Sequence, residues 1–133
     1  MGDISMLIID DERSNREFFT IILKSEYPSL TIHTAADAKE ALDLLGQEGQ
    51  YELVLSDNNL KCAMSGVQVY LETVKTRPEY TDRFVFMSGL PEDVMKELRS
   101  IPDEHRPLIL TKPISIDTLV NTVRSYLGSD KRQ

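Results

Sequence analysis

Two hydrophobic periods alternate along this chain, and the alternation outlines a fold. Ile4 to Ile9 is a short apolar run closed by Asp10-Asp11, the pattern of a buried strand. From Ser14 to Ser25 the period changes, with Phe18, Ile21, Ile22 and Ser25 at helical spacing. Leu30-Thr31-Ile32-His33-Thr34 alternates and predicts a second strand. Asp37 with Glu40 makes an acidic capping box, opening a helix whose apolar face is Ala38, Ala41, Leu42 and Leu45. Gly46 and Gly49 supply its stop signal. A third strand, Tyr51 to Ser56, runs straight into Asp57, and a polar loop continues to Gly66. Val67, Tyr70, Leu71 and Val74 mark the third helix, and Phe84 to Met87 the fourth strand. Pro91 beside Glu92 and Asp93 suits a first helical turn, where a missing N–H is harmless and negative charge is favoured. Pro107 to Leu110 predicts the fifth strand. Ile116, Leu119, Val120, Val123 and Leu127 give the cleanest amphipathic helix.

Five strands, each followed by a helix, imply an α/β fold with a parallel sheet covered on both faces. Ligands of such sheets sit beyond the carboxyl ends of the strands, where strand order reverses. The residues just past the predicted strands are Asp10-Asp11, Asp57, Ser88-Gly89 and Lys112-Pro113.

Length adds one bound: 133 residues make one domain. It is expected to span residues 1–127, with 128–133 a short polar tail. The net charge of -7, without a basic cluster, excludes a duplex-DNA surface made by this chain alone. Cys62 is the only cysteine, so neither an intramolecular disulfide nor a cysteine metal cage can form, and it reads as a tolerated small loop residue. The N-terminus carries no secretory pattern and no apolar run approaches membrane-spanning length. A cytoplasmic setting without membrane insertion is expected.

Taken singly, each strand-end residue has an ordinary explanation. An Asp there is a helix cap or turn former, Ser88 is loop chemistry and Lys112 is a surface lysine. Taken jointly, they bring three carboxylates, a hydroxyl and an ammonium to one edge. Carboxylates so grouped repel by roughly 4 kcal/mol per pair at 4 Å with an effective dielectric near 20. A cation would offset that cost. Oxygen ligands without nearby His or Cys favour a hard ion, and magnesium suits a site that keeps several waters. His33 and His105 fall away from the strand ends and read as structural or exposed. A carboxylate beside the metal can attack phosphorus to give an acyl phosphate. Positioning and charge neutralisation carry such a reaction. The metal, Lys112, and the Ser88 hydroxyl with nearby backbone N–H groups would each meet one phosphoryl oxygen.

Four segments in order resemble the receiver domains of two-component response regulators. They are Leu7-Ile8-Ile9-Asp10-Asp11-Glu12, Leu53-Val54-Leu55-Ser56-Asp57-Asn58-Asn59, Phe84-Val85-Phe86-Met87-Ser88-Gly89 and Thr111-Lys112-Pro113. The resemblance runs from Ile4 to Leu127. It implies a flavodoxin-like (βα)5 fold with strand order 2-1-3-4-5. It also implies Asp57 as phospho-acceptor and a Mg2+ site of Asp10, Asp11, Asp57 and the Asn59 carbonyl, with Asp10 acting mainly through water. Ser88 matches the switch hydroxyl and Lys112 the phosphate-contacting lysine, with a cis bond to Pro113. The implied partners are a histidine kinase or histidine phosphotransfer protein and an output partner or covalently linked output domain. Such a domain signals and catalyses only its own phosphorylation and dephosphorylation. No output segment follows Leu127, which leaves open a stand-alone protein or one domain of a longer regulator or hybrid kinase.

Three positions depart from the family pattern. The loop from Asp57 to Gly66 is one residue longer, with Lys61 replacing a common proline. Ile109 occupies the place of a switch aromatic, and isoleucine, stiff at χ1 and without a ring, cannot make the same movement. Leu90 stands where many members carry a polar group that influences dephosphorylation. A non-phosphorylated binding module is therefore a rival reading. An aspartate-nucleophile phosphohydrolase is disfavoured because Asn59, where a second Asp would stand, cannot act as a general acid. A flavin site is disfavoured because the first strand ends in acids rather than a phosphate-cradling loop.

Overall fold

A computed structural model describes residues 4–47, 49–60, 64–102 and 105–127. Lys61, Cys62 and the tail 128–133 lie outside the described residues. The chain runs β1 (Ser5–Ile9), α1 (Arg13–Glu26), β2 (Thr31–Ala35), α2 (Ala38–Leu45), β3 (Leu53–Asp57) and α3 (Gly66–Thr76). A 3-10 turn (Pro78–Asp82) leads into β4 (Phe84–Ser88), α4 (Pro91–Glu97), β5 (Leu108–Thr111) and α5 (Ile116–Leu127). The sheet has five strands in the order β2-β1-β3-β4-β5. Every pairing is parallel.

Both faces of the sheet are covered, which explains why the strands read as continuous apolar runs. Leu7, Ile9, Val54, Phe84 and Phe86 pack with residues of α2, α3 and α4. Their chain neighbours Met6, Ile8, Leu53, Leu55, Val85 and Met87 pack on the opposite face with α1 and α5. The strand period of two survives inside the runs, divided between two cores.

Local signals set most helix starts. Asp37 caps α2 by accepting from the Glu40 N–H at 2.8 Å, and Glu40 reaches back to the Ala36 N–H at 2.8 Å. Pro91 begins α4 with Glu92 and Asp93 in its first turn. Of the two glycines expected to stop α2, Gly49 has φ 91°, where only glycine is comfortable. Gly46 stays right-handed at φ -84°.

The buried stripe of α1 differs from the expected one. Phe19 and Leu23 are buried, whereas Phe18 and Ile21 are exposed. β2 lies one residue further on than expected, because the Asp10 N–H donates to the Ala35 carbonyl and extends the ladder. β3 starts at Leu53 rather than Tyr51, whose N–H donates instead to the Tyr80 hydroxyl at 2.9 Å. Ile116, expected on the apolar face of α5, is exposed. Among the described residues no helix is long and apolar enough to cross a membrane.

Tyr80 is fully buried, with the guanidinium groups of Arg77 and Arg83 over its ring, 5.3 and 5.9 Å from the ring centre. Tyr80→Phe leaves the Tyr51 N–H without its acceptor and is expected to cost about 1–3 kcal/mol. Urea unfolding of wild type and variant measures it.

Candidate functional site

The switch in strand order lies between β1 and β3, each of which ends in acid. Asp10 is fully buried, Asp57 is 4% exposed and Asp11 is half-buried. One carboxylate oxygen from each lies within 4.8 Å of the others. The fold thus assembles the acidic cluster expected from the strand ends.

Asp10 is held on several sides. The Glu12 N–H donates to Oδ1 at 2.9 Å and the Asn15 amide to Oδ2 at 3.3 Å. Arg16 reaches back to the Asp10 carbonyl at 2.9 Å. Burial pushes the Asp10 carboxyl above its ordinary range, against the pull of the Glu12 N–H. The Asp57 charge raises it further, while Lys112 and Asn15 act the other way.

Asp57 faces a cation across the pocket. Its Oδ2 is 3.1 Å from Lys112 Nζ, and its Oδ1 accepts from the Asn59 N–H at 3.2 Å. Lys112 follows β5, and its N–H donates to the Ser88 carbonyl at 2.8 Å, tying the fifth strand's exit to the fourth's. The Lys112–Pro113 bond is cis. Ser88 is almost buried, and its Oγ accepts from the Leu90 N–H at 2.9 Å. Asp11, Asn15, Asp57, Asn59, Ser88 and Lys112 help line a single cavity of about 210 Å³.

Behind Asp57, the backbone is packed too closely for a side chain at the start of α3. A Cβ on Gly66 would lie 2.5 Å from the Asp57 carbonyl oxygen and 2.8 Å from Ser56 Oγ. Glycine here allows α3 to abut the acceptor strand. A wider cleft of about 720 Å³ opens between α3 and α4 and shares Asn59, Ser88 and Gly89 with the smaller cavity. Ser65 Oγ donates to Glu97 Oε1 at 2.7 Å, linking α3 to α4.

The remaining candidates sort simply. Ile109 is half-buried against the core shared with α2, α3 and α4. Leu90 is exposed before α4. His33 lies in β2, away from the cluster, with Nδ1 2.7 Å from the Tyr51 hydroxyl, and His105 is exposed. Asn15, Arg16 and Gly66 were not singled out from sequence as parts of the site. Asn15 and Arg16 carry no local signal, and Gly66 read only as a loop end.

The fold and the acidic cluster together define a class. The chain belongs to the response regulator receiver domain family, whose sequence pattern it matches over residues 6–124. It is a phospho-accepting receiver domain of two-component signalling. It is 32% identical over 127 residues to the sensor kinase CckA of Brucella abortus, a match covering 95% of this chain and 13% of that protein. The solved receiver domain of the hybrid histidine kinase CckA superposes with a TM-score of 0.71 at 24% identity, covering 93% of this chain and 99% of the other. A CheY-like receiver domain protein from Methanospirillum hungatei superposes with a TM-score of 0.77 at 22% identity, over 98% of both chains.

The Asp10 environment gives a pH prediction. Its folded-state pKa lies above the unfolded value near 3.8, so the folded state binds more protons between the two. The Asp10 contribution to metal-free stability should therefore fall as pH rises from about 3.8 through the folded-state pKa, and it is read as the difference between wild type and Asp10→Asn. Asp10→Asn removes this contribution and should stabilise the metal-free domain at neutral pH. Urea midpoints in chelator across that range measure both effects.

Proposed function

We propose that Asp57 is the phosphoryl acceptor of this receiver domain, in a reaction dependent on Mg2+. The observation that carries this reading is the placement of a nearly buried carboxylate 3.1 Å from Lys112 Nζ, within reach of two further carboxylates. The donor set fits a hard divalent cation: three clustered carboxylates face one lysine, and all the ligand atoms are oxygen. Asp11, Asp57 and the Asn59 carbonyl would hold Mg2+ directly, with Asp10 acting mainly through water. When bound, the ion neutralises charge on the phosphoryl oxygens.

The chain's own residues account for the rest. An Asp57 carboxylate oxygen forms the new O–P bond as the N–P bond of a donor phosphohistidine breaks. The departing imidazole keeps the electron pair and takes up a proton. Lys112, now paired with Asp57, would move its charge to a phosphoryl oxygen. Ser88 Oγ, which accepts from the Leu90 N–H, would turn its own O–H to another. That exchange couples phosphorylation to the start of α4.

The kinship with a sensor kinase supports a histidine kinase or histidine phosphotransfer protein as donor, and a partner or covalently linked domain as output. The same setting supports a cytoplasmic location and a signalling domain whose only chemistry is gain and loss of its own phosphoryl group. We assign residues 1–127 to the receiver domain and 128–133 to a polar tail.

Magnesium titration calorimetry and phosphorylation by a small acyl-phosphate donor test these roles. Asp57→Asn should lose both metal binding and phosphorylation. Lys112→Ala should keep the metal but lose most of the phosphorylation-dependent change. Ser88→Ala should accept phosphate and transmit poorly. Wild-type switching in Lys112→Ala, or normal partner binding by phosphorylated Ser88→Ala, would contradict the role given to that residue.

A further inference from the structure

Asn58, the residue after the proposed acceptor, is buried, at 7% exposure. Three of its polar groups are engaged, one by β4 and two by the first turn of α3. Its N–H donates to the Met87 carbonyl of β4 at 3.1 Å. Its carbonyl accepts from the Gly66 N–H at 3.0 Å. Its side-chain Oδ1 accepts from the Val67 N–H at 2.9 Å, nine positions along the chain.

A helix begins with N–H groups that have no partner within the helix. In α3 the first two, on Gly66 and Val67, are both satisfied by Asn58. The third, on Gln68, is satisfied by the capping box of Ser65. Thus α3 has two caps: one built from its own flanking residue, the other from the acceptor loop. Helix stability alone requires no cap from a residue so distant. The second cap closes the loop that leaves Asp57, holding its first residue against both β4 and α3. Asn59 is the next residue, and its N–H already donates to Asp57 Oδ1.

We propose that Asn58 is a positioning residue for the metal and acceptor site: its side chain anchors the loop to α3 and so holds Asn59 beside Asp57. The proposal rests on the Mg2+ reading above. The anchor acts on the residue next to Asp57 directly, because a loop restrained at its first residue leaves Asn59 fewer positions to occupy. Asn58 touches no phosphoryl group and acts through Asn59.

The test compares Asn58→Ala and Asn58→Leu, which remove the acceptor oxygen with opposite effects on volume, with Ser65→Ala, which removes the helix's own cap. Each is checked for folding by circular dichroism and urea unfolding. Magnesium affinity is then measured by calorimetry on the folded protein without any phosphodonor. Both Asn58 variants should bind Mg2+ at least tenfold more weakly than wild type, while Ser65→Ala stays within about twofold despite a comparable loss of stability. Phosphorylation of the Asn58 variants should recover at saturating Mg2+. Wild-type affinity in whichever Asn58 variant folds would overturn the proposal, as would equal weakening in Ser65→Ala. Absence of magnesium binding in wild type itself would instead overturn the metal reading on which the proposal rests.

Discussion

The mutual repulsion of Asp10, Asp11 and Asp57 is the constraint around which this domain is arranged. Carboxylates within 4.8 Å of one another repel, and neighbouring donors meet that repulsion. Lys112 faces Asp57, while the Glu12 N–H and Asn15 amide meet Asp10. Burial first, and the Asp57 charge after it, lifts the Asp10 pKa. A site left short of positive charge in this way is suited to a divalent cation and, beside it, an incoming phosphoryl group.

The remaining architecture supplies that arrangement with rigidity. Parallel pairing of β1 with β3 sets the acids side by side, and β4 and β5 deliver Ser88 and Lys112 to the same edge. Two apolar cores clamp the sheet from opposite faces, so the charged edge need not contribute to stability. Gly66 lets α3 approach Asp57, and the Ser65–Glu97 hydrogen bond extends that contact to α4. Ile109 packs in the core on the same side as these helices. Contacts thus run from Asp57 through the start of α3 to α4 without involving position 109.

Much of this was legible in the sequence because charge terminates the apolar runs. Asp10-Asp11 and Asp57 each close a strand, and five alternations of period specify the layers. The α1 face was not legible for a specific reason. Phe18-Phe19 and Ile21-Ile22-Leu23 allow two helical stripes, and only the sheet selects the one containing Phe19 and Leu23. The boundaries of β2 and β3 depended on partners distant in sequence, namely the Asp10 N–H and the Tyr80 hydroxyl. The supports of the site were hidden likewise. Asn15 and Asn58 act through hydrogen bonds to groups that only the folded loops bring near.

The chain aligns with about an eighth of a sensor kinase, and the function proposed for it rests on chemistry at one carboxylate. The most direct measurement is to locate the phosphoryl group. The domain is incubated with Mg2+ and an acyl-phosphate donor, then treated with hydroxylamine, which converts an aspartyl phosphate to a hydroxamate that peptide sequencing by mass spectrometry can place. The account predicts a single hydroxamate at Asp57 that disappears in chelator. Modification at another residue, or at Asp57 to the same extent without metal, would contradict it.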